Sequence, residues 1–296
     1  MTTVLPEQPE QSEQSVVPDQ TVLLDQDDTR ARSSLLIDLL KPLGGMVVAL
    51  GALIVVWVAF LRIFDVSTFV GVSPSRVIEH LFSAEDAAEN RAGIISGLGR
   101  TLLDAGSGLV IGGIGSIAVA CIFVLYRPVE RALLPIGVAL QTVPIVALVP
   151  LLALVFGRGL VSTIIVTGII VFFPTLVLVT HGLRSVPQQG IDLLRAYDAS
   201  PRTVLFKLRL PAAMPSIFAA AKIAVPGAIL GALLAEWLVT GAGLGYEMLT
   251  ATTQNDYKQL WAATATLTSF AIIVYTLTTI LERAMLERFA PDHVAV

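Results

Sequence analysis

Charge-free apolar runs recur along this chain at 43–61, 105–126, 132–156, 160–180 and 261–281, and a sixth at 212–235 is interrupted only by Lys222. Polar segments separate them. Each run approaches the ~20 residues that a helix needs to cross ~30 Å of hydrocarbon at about 1.5 Å per residue. Helices rather than open strands are expected, because a backbone facing lipid must satisfy its own hydrogen bonds. The pattern therefore predicts an all-α polytopic membrane protein with six transmembrane helices. Residues 1–34 read differently. They carry Glu7, Glu10, Glu13, Asp19, Asp25, Asp27 and Asp28 and almost no aromatic residue. Too little apolar surface is on offer there to offset chain entropy, which predicts a disordered acidic N-terminal tail. The tail has neither the basic start nor the cleavage site of a signal peptide, so the first run is read as a retained span.

Short loops set the orientation. Arg127 and Arg131 follow the second run, and Arg184, Arg195, Arg202, Lys207 and Arg209 follow the fourth. Arg158 alone follows the third and Lys258 alone the fifth. With six spans the two basic loops share one side, the cytoplasm, and both termini lie there too. The loop 62–100 then faces outward, with four Arg against five acidic residues.

Composition agrees with a membrane body. Hydrophobic residues make up 55% of the 296 and charged residues 14%, against about 25% charged in soluble domains. Mean hydropathy is +0.79. A formal net charge of −4 gives no basic surface for nucleic acid. Cys121 is the single cysteine, which excludes an intrachain disulfide or a cysteine-based zinc site. No Gly-Lys pair of a phosphate-cradling loop occurs, and no His-x-x-x-His or Gly-x-Ser-x-Gly. No catalytic residue, metal site or cofactor is expected. Candidate pathway residues are Gln141 and Thr142, polar and mid-span beside Pro144, together with Lys222 and Glu236 in the fifth run. Lys222 either lines a pathway or snorkels to the cytoplasmic surface. Glu236 either lines the outer mouth or marks the interface, and Asp104 and Arg158 read as boundary residues.

The most informative stretch lies between the fourth and fifth runs. It reads Gly182-Leu-Arg-Ser-Val-Pro187, then Asp192-Leu193-Leu194-Arg-Ala-Tyr-Asp198, then Ala199-Ser200-Pro201, then Leu208-Arg-Leu210-Pro211. Ser200 suits a helix N-cap with Pro201 at the first helical position. Some thirty residues are too many for a turn and predict a compact cytoplasmic projection.

On these residues the chain resembles the permease subunit of ATP-binding-cassette importers with the type I fold, in the nitrate, taurine and alkanesulfonate branch. That family's loop has Glu-Ala-Ala, three residues, Gly, nine residues, then Ile-x-Leu-Pro. Asp192 stands at the Glu, Leu193 and Leu194 at the Ala pair, Asp198 at the Gly, and Leu208-Arg-Leu210-Pro211 closes the motif with spacing intact. Phe172-Phe-Pro174, Ala235-Glu236 and Gly243-Leu-Gly-Tyr246 are similar to that branch as well. The likeness covers about residues 96–289. It implies a permease core there, preceded by a first span and outer loop at 35–95 and followed by a short tail at 290–296.

The resemblance further implies that two permease subunits, identical or related, form the pore in a bacterial plasma membrane. Cytoplasmic ATP-binding subunits would grip the coupling-helix loop, and an extracytoplasmic solute-binding protein would deliver the solute, expected to be a small organic anion such as a sulfonate or nitrate. ATPase activity would then reside on a partner. A self-contained secondary transporter or channel is the alternative, and it would show two related halves with paired broken helices. The Gly-to-Asp change at 198 keeps a residue that tolerates a left-handed turn.

Overall fold

The computed structural model describes the backbone of residues 20–289 and the side chains of residues 42–285 other than Leu140. The acidic tail expected at 1–34 lies outside the described residues up to 19, as does the C-terminal tail at 290–296; the described backbone is helical from Gln20 onward. Two compact units divide the chain, Met1–Lys41 and Pro42–Val296. The first contributes the opening of α1 (Gln20–Ile63); the second holds everything that follows.

Within the second unit, five helical segments are long and apolar enough to cross a membrane: Pro42–Ile63, Ala87–Leu125, Leu160–Arg184, Met214–Thr240 and Tyr257–Met285. In element order the unit continues with α2 (Pro74–Phe82), α3 (Ala87–Leu125), α4 (Arg127–Gln141), α5 (Ile145–Phe156) and α6 (Leu160–Arg184). The loop elements α7 (Gln188–Ala196), α8 (Pro201–Val204) and α9 (Leu210–Ala212) precede α10 (Met214–Ala235), α11 (Leu244–Thr253) and α12 (Tyr257–Phe289). The described elements are all helical, so the fold is all-α.

The third apolar run is not one helix, contrary to the continuous span expected over 132–156. It splits into α4 and α5 around residues 142–144. Pro144 removes a backbone donor and pushes Val143 out of the helical region, and Pro144 itself sits at φ −60°, ψ 114°. At about 1.5 Å per residue α4 and α5 reach roughly 22 and 18 Å, each short of the ~30 Å hydrocarbon core. The second run begins earlier than its apolar stretch, because α3 starts at Ala87.

Small residues set the packing. A Cβ on Gly108 would strike Thr167, and one on Gly112 would lie 2.9 Å from the Cα of Gly168. Farther along, Phe123 packs with Leu176 and Val179 in one buried cluster. Rising numbers on α3 thus meet rising numbers on α6, so the two helices run parallel. Helix α10 runs antiparallel to α6: Gly182 abuts Ser216, and a Cβ on Gly231 would lie 2.8 Å from the Cα of Thr167. These close approaches are what small residues at four-residue spacing permit between membrane helices.

The directions sort the ends of the bundle. The loop 185–213 and the ends of α3 and α12 lie at one end. The start of α3, the end of α10 and the start of α12 lie at the other, under a cap built from α2 and α11. The cap has its own core, with Val72, Val77, Ile94, Leu244, Ala262, Ala263 and Leu267 buried together. Trp261 stacks on Trp57 of α1 at 4.9 Å and donates its indole N–H to the Val70 carbonyl at 2.8 Å.

Candidate functional site

The loop between α6 and α10 is a folded projection. Helix α7 ends in a Schellman motif: the Ala199 amide donates to the Leu194 carbonyl at 3.0 Å and the Asp198 amide to the Arg195 carbonyl at 2.9 Å. Asp198 holds φ +56°, the left-handed position that closes such a motif and that glycine usually fills. The Ser200 hydroxyl then accepts from the Thr203 amide at 3.2 Å, with Pro201 opening α8. One π-helical turn, Leu205–Arg209, joins α8 to α9.

A small core of Val186, Ile191 and Val204, with Leu194, Ala199 and Leu208 against it, holds the projection rigid. Leu205 is buried among Phe123, Leu176 and Leu183, with Leu210 packed on that cluster, and so fixes the projection to α3 and α6. The Arg209 guanidinium donates to the Leu183 carbonyl at 2.8 Å. Burial, then the neighbouring charges of Arg195, Arg127 and Arg184, lower its pKa. Asp192 accepts from the Gln188 amide at 2.9 Å, and Pro211 is exposed. Leu193, Tyr197 and Phe206 leave large apolar surface uncovered, 60%, 80% and 61% exposed. Tyr197 and Phe206 were not singled out by spacing.

Gln141 and Thr142 are both exposed at the break between α4 and α5. The Thr142 hydroxyl donates to the Ala139 carbonyl at 2.7 Å, alongside the Thr142 backbone amide at 3.1 Å. The two residues line a cleft of about 320 Å³ with Phe173 and Pro174 of α6. No Lys, Arg, Asp or Glu lines that cleft.

Lys222 does not line this cleft. It forms an ion pair with Glu282 of α12, which supplies the partner that an intramembrane charge requires. Sequence reading named the cation and missed the acid, although Glu282 lies near the C-terminal end of the last span, level with Lys222 in a chain of alternating crossings.

Glu236 is fully buried, 0% exposed. It accepts from the Thr101 hydroxyl at 3.0 Å and the Gly245 amide at 2.7 Å, while the Leu244 amide donates to the Thr101 hydroxyl oxygen at 2.9 Å. Gly243 lies so close to the Glu236 carboxylate that any side chain there would collide with it. Glu236 thus clasps the turn after α10 onto α3. Asp104, read as a boundary residue, is likewise fully buried and ion-paired to Arg100 at 3.2 Å. The Ala235-Glu236 and Gly243-Leu-Gly-Tyr246 motifs are two halves of one contact.

A family model described as "Binding-protein-dependent transport system inner membrane component" matches residues 108–288. A probable ABC transporter permease protein of Haemophilus influenzae is 33% identical over 239 residues, covering 81% of this chain and 94% of that protein. A formylaminopyrimidine transport permease protein of Halalkalibacterium halodurans is 36% identical over 158 residues, 53% of this chain and 63% of that protein. Further relatives are named for riboflavin, aliphatic sulfonate and bicarbonate transport. Among solved structures, an inward-facing methionine ABC transporter gives a TM-score of 0.56 at 18% identity over 68% of this chain and 99% of that one, which speaks to the fold. Taken with the parallel α3–α6 pair, the capped bundle and the folded projection, these matches show that the chain belongs to the family of binding-protein-dependent transport system inner membrane components.

Proposed function

We propose that this ABC-importer permease subunit, which has no catalysis of its own, crosses the membrane six times with both termini and the projection 185–213 in the cytoplasm. The parallel run of α3 and α6 supports the count: two parallel helices need one crossing between them, and α4 with α5 supplies it. The arginines around the projection support the orientation. The projection docks a cytoplasmic ATP-binding subunit through Leu193, Tyr197 and Phe206, and the Asp198 turn fixes the angle at which motion is passed to α6 and α10. A second permease subunit, a copy of this chain or a relative, completes the pore, and an extracytoplasmic binding protein feeds it.

The observation that carries the pathway is the helix break. Irregular backbone at membrane depth is tolerated only where protein buries it or water lines it, and residues 142–144 are exposed in the single chain. That face therefore turns to the second subunit and the pore. A planar, hydrogen-bonding solute suits the Gln141 amide and the Phe173 ring, in a cleft without a cation. A heterocycle of the kind named for the formylaminopyrimidine relative fits this chemistry. A small organic anion is the second reading, favoured by the relatives named for sulfonate and bicarbonate. The test is purification with the cognate ATP-binding subunit and binding protein, followed by calorimetry of that binding protein with a pyrimidine and an alkanesulfonate. Retention of the ATPase and a pyrimidine signal support the reading; an isolated chain that transports without ATP overturns it.

A further inference from the structure

Within the cap opposite the projection, residues 68–76 and 255–258 enclose a cleft of about 380 Å³. Arg76 and Lys258 supply its positive charge and the edge-to-face pair Phe69–Tyr257, 5.2 Å apart, forms one wall. We propose that this cleft receives a carboxylate side chain on the surface of the extracytoplasmic binding protein. The inference rests on the permease reading above, which turns the cap outward.

Arg91 and Arg100 of neighbouring α3 are committed elsewhere, and Arg62 at the end of α1 does not line the cleft. Arg91 donates to the Leu81 carbonyl at 2.5 Å and lies 5.6 Å over the Phe82 ring, and Arg100 is paired with Asp104. Among the described residues Arg76 donates through one nitrogen, to the Thr68 carbonyl at 2.9 Å, which aims the guanidinium while leaving donors for a bidentate partner. Lys258 forms no ion pair among the described residues. The acid lining the cleft, Asp256, is exposed; its Oδ1 accepts from the Gln259 amide at 3.1 Å at the start of α12, and against Arg76 and Lys258 it leaves the cleft net positive. Around this island the outward segments carry Asp65, Glu79, Glu85, Asp86 and Glu89. A positive cleft in an acidic surface orients an approaching partner and rejects misplaced ones.

The frame is also stiff. Val72 and Val77 are buried in the cap core, and His80 is hydrogen-bonded to Gln259 at 2.9 Å. Docking force applied here reaches α12 and α3 directly.

The experiment uses the assembled transporter in nanodiscs with its own binding protein, and measures ATP hydrolysis against binding-protein concentration. Arg76→Glu/Lys258→Glu should raise the half-stimulating concentration by about tenfold or more at low salt, with basal hydrolysis and subunit stoichiometry unchanged. Arg76→Gln should give a smaller rise, and added salt should shrink the difference. Stimulation of the double variant at the parent's concentration would overturn the cleft while leaving the permease reading intact. A parent complex that assembles with no ATPase would overturn both.

Discussion

At the scale of single residues, the backbone of Asp198 is the sharpest constraint. A β-branched side chain at φ +56° conflicts with the left-handed conformation by about 1–2 kcal/mol, and the Schellman closure of α7 would open. Asp198→Val should therefore weaken ATPase co-purification or stimulated hydrolysis while the protein still inserts, and Asp198→Gly should match the parent. Identical behaviour of both variants would place the turn elsewhere. Glu247 in α11 offers a pH test. Burial pushes its carboxyl from the ordinary 4.5 up to about 7. The folded state then binds the proton more tightly than the unfolded one, so Glu247's contribution is present below about 4.5 and is lost as pH rises through about 7. Glu247→Gln should raise the melting midpoint above the parent's at pH 8, with the gap narrowing toward pH 4.5; parallel pH profiles would contradict the burial. The left-handed turn at 198 and the Ser200 cap were legible, because their chemistry is local. The burial of Glu236 was not, since its partners Thr101 and Gly245 lie 135 and 9 positions away.

Elements meet where side chains are smallest. A Cβ at Gly112 would press on backbone atoms of Gly168 at 2.9 Å, whereas Gly113 next to it faces open space. Gly112→Ala should cost about 1–3 kcal/mol by overpacking, and Gly113→Ala should be neutral or stabilise by about 0.5–1 kcal/mol. Thermal midpoints of the two purified variants check this, and equal shifts would contradict the α3–α6 contact. Four-residue spacing was visible in the sequence, yet spacing alone does not name the partner helix; Gly168 was the missing half. The break between α4 and α5 escaped for a related reason. Pro135, Pro144 and Pro150 all lie in the third apolar run, and hydropathy cannot say which proline interrupts the helix and which are absorbed; Pro135 sits inside α4. Pro150 sits inside α5, and only Pro144 ends a segment.

For the whole molecule, hydropathy and arginine placement made an all-α membrane body with a large loop on the basic side legible from sequence. The direction of each helix pair emerged only from contacts: α3 parallel to α6, and α10 antiparallel to α6. Those directions place the projection at one end and the cap at the other, as a permease driven from one side and fed from the other requires. The partnership with an ATPase across the surface of Leu193, Tyr197 and Phe206 is the central claim, and site-directed crosslinking reaches it most directly. After Cys121→Ala, one cysteine is placed at Tyr197, 80% exposed on the projection, and in a second variant at Gln254, exposed on the cap. With the ATP-binding subunit co-expressed, the cysteine at 197 should crosslink to that subunit and the one at 254 should not. A crosslink from 254, or none from 197 in a complex that retains the ATPase, would contradict the account.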